Sequence, residues 1–183
     1  MSSVATERPT DEELVRLVAA GQVEVFAELY ARYFSRAYRL AWAMTGQREV
    51  AEELTQEIFL RVWQKAGQFR GESKFGTWFY KLATRSCLNF RERPSMRSHE
   101  RLDTVNLVSE ANDVQQGIQS DVQQALLSLK PEWRLIVIFK EIDGLSYEEI
   151  ADRMNCSTGT VASRLNRSRL LLAQKLEHLR GRC

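Results

Sequence analysis

Residues 143–175 read DGLSYEEIADRMNCSTGTVASRLNRSRLLLAQK. Ser146 followed three positions later by Glu149 is a capping box, and it opens a helix whose Ile150, Ala151 and Met154 share one face. Asn155-Cys156 supplies a tight turn. Ser157 or Thr158 then caps a longer helix with Val161, Leu165, Leu172 and Leu176 on its inner side. Two helices around so short a turn, the second one basic, predict a helix-turn-helix. The first turns of the second helix carry Thr160, Ser163, Arg164, Asn166 and Arg167 outward. Such hydroxyls and guanidiniums suit phosphate oxygens and guanine edges in a DNA major groove. A helical hairpin with a solvated charged face is the plainer reading, but caps, turn and basic face coincide in register, which favours the DNA reading.

Working towards the N-terminus, apolar spacing stays helical and nothing alternates as a strand would. Pro131 stands where a helix opens, with Trp133, Ile136, Val137 and Ile142 apolar and Asp143-Gly144 as the stop. Before it, from about Ser120, Val122, Leu126 and Leu129 form a stripe. Residues 93–118 carry no sustained stripe and are rich in Ser, Asn, Gln and Asp, the composition of a flexible linker. Upstream, Thr10 and Glu13 make another capping box, with Leu14, Leu17 and Val18 apolar and Gly21 as the stop. A longer helix carries Phe26, Leu29, Tyr30, Tyr33, Phe34, Ala37, Leu40 and Ala41 and ends near Gly46, and residues 48–65 repeat Val50, Leu54, Ile58 and Val62. The expected fold is all-α: two small helical domains, 10–92 and 119–180, joined by the 93–118 linker, the second containing the helix-turn-helix.

The stretch 69–85, FRGESKFGTWFYKLATR, divides by helical phase. At about 100° per residue, Phe75, Trp78, Phe79, Leu82 and Ala83 form one apolar face, expected to be core. Thr77, Tyr80, Lys81, Thr84 and Arg85 occupy the opposite arc, with Lys74 leading into it. That arc is a candidate polyanion surface.

The net charge of +2 hides a strong segregation. Residues 61–101 hold ten Lys/Arg against three Asp/Glu, and residues 153–183 hold seven against one, while the sequence between them is acidic. Two basic blocks on separate helices point to contact with a polyanion at two places. No apolar run approaches the roughly 18 residues a bilayer crossing needs, and the first residues, MSSVATERPTDEEL, contain no secretory h-region. Three widely spaced cysteines fit reduced thiols in the cytoplasm, with Cys87 and Cys156 read as small core residues. His99 and His178 have no Cys or carboxylate neighbour at metal spacing, and no glycine-rich phosphate loop or nucleophile elbow occurs. Glu52-Glu53 and Glu148-Glu149 are adjacent on helices and do not face each other. An enzyme is disfavoured, and no metal or cofactor is expected.

Three segments together resemble the bacterial extracytoplasmic-function sigma factors, of the sigma-70 family. LSYEEIADRMNCSTGTVASRLNRSRLLL is similar to their C-terminal promoter-reading segment, FRGESKFGTWFYKLATRSCLNFRER to a signature of their N-terminal domain, and VAEELTQEIFLRVWQ at 50–64 to the helix that docks on RNA polymerase. The resemblance implies an alternative sigma factor that binds core RNA polymerase through the clamp coiled-coil of the largest subunit and the flap. Glu53, Gln56 and Glu57 match the clamp-contact positions. It also implies that the 68–74 loop and the polar arc after it open and hold the promoter −10 element, with Arg70, Ser73, Lys74, Thr77, Tyr80, Lys81, Thr84 and Arg85 as contacts. The C-terminal helix, with Thr160, Ser163, Arg164, Asn166 and Arg167, would read the −35 duplex. An anti-sigma protein, often membrane-bound, commonly holds such factors inactive. Ala162 and Ser157 depart from the family pattern, where a basic residue and a proline are frequent, and bear on −35 preference. A helix-turn-helix regulator that acts without stoichiometric polymerase binding is the alternative, and it leaves residues 50–64 and the first basic block without a role.

Overall fold

Thr10 accepts a hydrogen bond from the Glu13 backbone N–H while the Glu13 carboxylate accepts from the Thr10 backbone, so the first helix, α1 (Asp11–Ala19), starts at a reciprocal cap. In the computed structural model, which describes residues 8–91 and 113–179, α1 is followed by α2 (Phe26–Thr45), α3 (Arg48–Lys65) and α4 (Phe75–Arg91). Gly46 ends α2 at φ 70°, a left-handed conformation that glycine adopts without steric cost, and its N–H donates to the Trp42 carbonyl. Leu14, Leu29, Leu40, Leu54, Ile58, Phe75 and Phe79 are buried where these helices meet. Tyr30 and Phe34, expected on the core stripe of α2, lie at its rim with more than a third of their surface exposed. The stripe on α2 is wider than the surface that α3 and α4 cover.

Beyond residue 112 the chain continues with α5 (Asp113–Leu127), α6 (Pro131–Val137), a π turn (Ile138–Ile142), α7 (Tyr147–Met154) and α8 (Thr158–Lys175). No strand occurs among the described residues. Most of the expected 93–118 linker lies outside the described residues, but α5 begins at Asp113, inside it. Helix propagation is cheap once a turn is anchored, and the buried Leu126 and Leu129 anchor the C-terminal end. Pro131 sits in the first turn of α6.

One contiguous buried cluster runs through both helical groups. The contact is polar as well as apolar. Arg134 of α6, fully buried, donates through Nη1 to the Met44 and Ala43 carbonyls at the end of α2, at 2.9 and 3.4 Å. Its Nε and Nη2 reach the carbonyls of Leu126, Leu127 and Leu129, at 2.7, 2.6 and 3.0 Å. One guanidinium therefore satisfies the last carbonyls of two helices, and α2 carries no basic residue of its own in its last turn. Gln123 adds a donor to the Trp42 carbonyl, at 3.0 Å.

Candidate nucleic-acid interface

The helix-turn-helix forms as its caps require. Ser146 and Glu149 exchange hydrogen bonds at the start of α7, and those from the Ser146 backbone and hydroxyl hold the Glu149 carboxyl below the usual carboxylate range. Asn155 takes φ 50°, and Ser157 caps α8 by accepting from the Thr160 N–H at 3.1 Å. Buried Ile150, Val161 and Leu165 lock α7 against α8. Ser163, Asn166 and Arg167 are exposed, and Thr160 and Arg164 are half-buried. Among the described residues Arg164 and Arg167 make no ion pair, whereas Arg169 on the same helix is tied to Glu141. Arg164 and Arg167 follow each other by three residues in the second and third turns of α8.

A second candidate surface surrounds the start of α4. Gly71, at φ 74°, turns the 69–74 loop so that it borders a half-open cavity of about 550 Å³ with Phe69, Arg70, Ser73 and Trp78 in its wall. Glu12 of α1 holds the loop's exit by accepting from the Phe75 N–H at 2.7 Å, a carboxylate at a helix N-terminus. Trp78, expected in the core, is half-buried: its ring packs edge-on against Phe69 and beside Phe75, each at 5.7 Å, and faces the cavity. Of the three aromatics on that face of α4 only Phe75 and Phe79 enter the core, while Trp78 packs under the loop through Phe69.

The polar arc of α4 is not uniformly open. Arg70, Ser73, Lys74, Lys81 and Arg85 are exposed and Thr77 is half-buried, but Tyr80 and Thr84 are buried. The C-terminal group covers Tyr80. Phe139 meets Tyr80 edge-on at 5.7 Å, and the Arg153 guanidinium lies 4.4 Å over its ring. Burial, then the charge of Asp143, pushes the Tyr80 hydroxyl pKa up, while Arg36, Arg39 and Arg153 pull the other way. Arg39 of α2 reaches the same place by pairing with Asp143 at 2.9 Å, with Arg36 one turn before it, and the helical phase of residues 69–85 points to neither. Their i, i+3 spacing was the available signal.

On α3, Glu53 and Gln56 are exposed. Glu57 is less available, because Arg61 holds it at 2.6 Å. Gln56 borders a second, apolar hollow of about 350 Å³ with Phe26, Tyr30, Phe59, Leu60 and Trp63. Among the described residues no group of His, Cys, Asp or Glu is arranged to hold a metal ion. Burial pushes the Cys87 thiol up to about 12, so it stays protonated in the core.

Known proteins resemble both helical groups of the chain. The Sigma-70 region 2 pattern matches residues 29–95 and the Sigma-70 region 4 pattern residues 119–172. The ECF RNA polymerase sigma-E factor of Escherichia coli is 30% identical over 188 residues, covering 95% of this chain and 98% of that protein. The chain belongs to the extracytoplasmic-function sigma factors. Among solved structures, CnrH in complex with the cytosolic domain of CnrY aligns with a TM-score of 0.67 at 20% identity, over 92% of this chain and 97% of that one. RpoE of Bartonella quintana, solved with the anti-sigma factor NepR, aligns at 0.64 and 24% identity, over 85% and 98%. As a sigma factor the chain is an alternative transcription initiation factor, and the region 2 match accounts for the helices that a plain helix-turn-helix regulator leaves idle. None of the described helices is long and apolar enough to cross a membrane.

Proposed function

We propose that this sigma factor uses two DNA surfaces and one polymerase surface. The units 10–92 and 119–180 act as its two domains, with 93–118 between them. The observation that carries the reading is the pair of unpartnered arginines on α8, together with a walled loop cavity opening beside the basic start of α4. Thr160, Ser163, Arg164, Asn166 and Arg167 read the −35 duplex in the major groove. The loop cavity takes an unstacked base of the −10 element, and Arg70, Ser73, Lys74, Thr77, Lys81 and Arg85 hold the separated strand, with Tyr80 and Thr84 joining once uncovered. Glu53, Gln56 and Glu57 meet the clamp of core RNA polymerase. The protein does no covalent chemistry of its own and works in the cytoplasm. Family resemblance further supports an anti-sigma partner, the kind of protein that the Bartonella neighbour binds. Run-off transcription with purified core polymerase and genomic fragments tests the whole reading: without added chain no specific start should appear, and a chain that fails to direct one overturns it.

Two variants test the surfaces separately. Arg164→Ala and Arg167→Ala should each weaken −35 duplex binding by about 1–3 kcal/mol, with relaxed preference at one base position if the contact is bidentate. An even loss across sequences, with the salt slope reduced by about one, marks a phosphate contact instead. Binding that is unchanged in both respects removes these residues from the site. Glu53→Lys should lower affinity for core polymerase in a binding titration while shifting stability by less than about 0.5 kcal/mol. Glu53 is the cleaner probe than Glu57, whose reversal also breaks the bond to Arg61.

A further inference from the structure

We propose that Asp143 and Asp152 close this sigma factor on itself by occupying, on the basic face of α4, places that the DNA backbone takes in the active state. The inference rests on the reading of α4 as a DNA surface. The π turn Ile138–Ile142 ends in Asp143, whose N–H reaches back to the Ile138 carbonyl, and it delivers that carboxylate to the N-terminal helices. The Asp143 side chain is only 6% exposed. It accepts from Arg39 Nη2 at 2.9 Å and from the Tyr80 hydroxyl at 3.4 Å. In the second turn of α7, the partner helix of α8, Asp152 accepts from Lys81 Nζ at 2.6 Å. A carboxylate offers anionic oxygens to the same N–H and O–H donors that a phosphate would use. Lys81 and Tyr80 therefore cannot serve the carboxylates and a DNA strand together.

The ionic contacts at α4 are the weaker part of the closed arrangement, beside the buried contacts of Arg134 with α2 and of Phe139 with Tyr80. Lys81 and Asp152 are each about half exposed, and such pairs contribute little. At the same interface Arg39 Nε and Arg153 Nε and Nη1 are buried without a hydrogen-bond partner among the described residues. Buried donors without partners cost free energy, which lowers the net gain from making these contacts. Closure is thus an equilibrium, and it scales down the apparent DNA affinity by the open fraction.

The test uses the full chain, small-angle scattering for compactness, and fluorescence anisotropy with a labelled single-stranded oligodeoxynucleotide of about ten nucleotides. Asp143→Asn with Asp152→Asn should enlarge the radius of gyration and tighten oligonucleotide binding about three- to tenfold. Lys81→Glu alone should expand the chain yet weaken binding, and Lys81→Glu with Asp152→Lys should restore compactness without restoring binding. Arg85→Ala, on the same face but outside the closure, should weaken binding at unchanged radius and so reports on the DNA reading alone. An unchanged radius in the double asparagine variant overturns the closure. Expansion with no gain in affinity, while Arg85→Ala still weakens binding, overturns the competition. No effect of Arg85→Ala on binding shows instead that the α4 reading has failed and takes the proposal with it.

Discussion

Replacing Arg134 by methionine should lower the stability of the chain by about 3–5 kcal/mol, because several buried carbonyls lose their donor at once. The guanidinium is fully buried and serves Leu126, Leu127, Leu129, Ala43 and Met44 together. Methionine fills similar volume, so the loss reports hydrogen bonding more than a cavity. Lysine keeps the charge but cannot fork across five acceptors, and Arg134→Lys should recover less than half of the loss. Urea titration should show a lower midpoint. A loss below about 1 kcal/mol would mean that water replaces the guanidinium at little cost, and that its burial is incidental.

Phe79→Ala and Trp78→Ala should part company although the residues are adjacent. Phe79 is fully buried, with ring contacts to Tyr33 at 4.7 Å and Phe59 at 6.0 Å, and its truncation should cost about 3–5 kcal/mol. Trp78 is half-buried in the wall of the loop cavity, and its truncation should cost only about 1–2 kcal/mol. That milder variant should nevertheless fail at promoter opening, read as lost permanganate reactivity of unpaired thymines near the start site. Equal thermal destabilisation by the two, with normal opening by folded Trp78→Ala, would return Trp78 to the core and leave the cavity without a function.

Much of the architecture was written in local chemistry. The capping boxes at Thr10 and Ser146, the left-handed stop at Gly46, Pro131 at a helix start and the Asn155 turn each depend on neighbours within four residues, so they read directly from sequence. The α3 limits, the helix-turn-helix and the exposed Arg167 followed from the same kind of evidence, as did the burial of Phe75 and Phe79. Trp78 escaped that reading because helical phase ranks faces within one helix and is blind to a loop that folds back over it.

Caps and apolar periodicity suffice to place the helices, their stripes and the family to which they belong. What lies over the polar faces depends on residues far apart in the chain. Asp143 reads as a helix stop, yet it meets Arg39 from 104 residues away, and Arg134, which no local pattern marks for the interior, is fully buried. Periodicity measures hydrophobicity around one axis. A polar face closed by ions from distant sequence looks, to that measure, the same as one left to water.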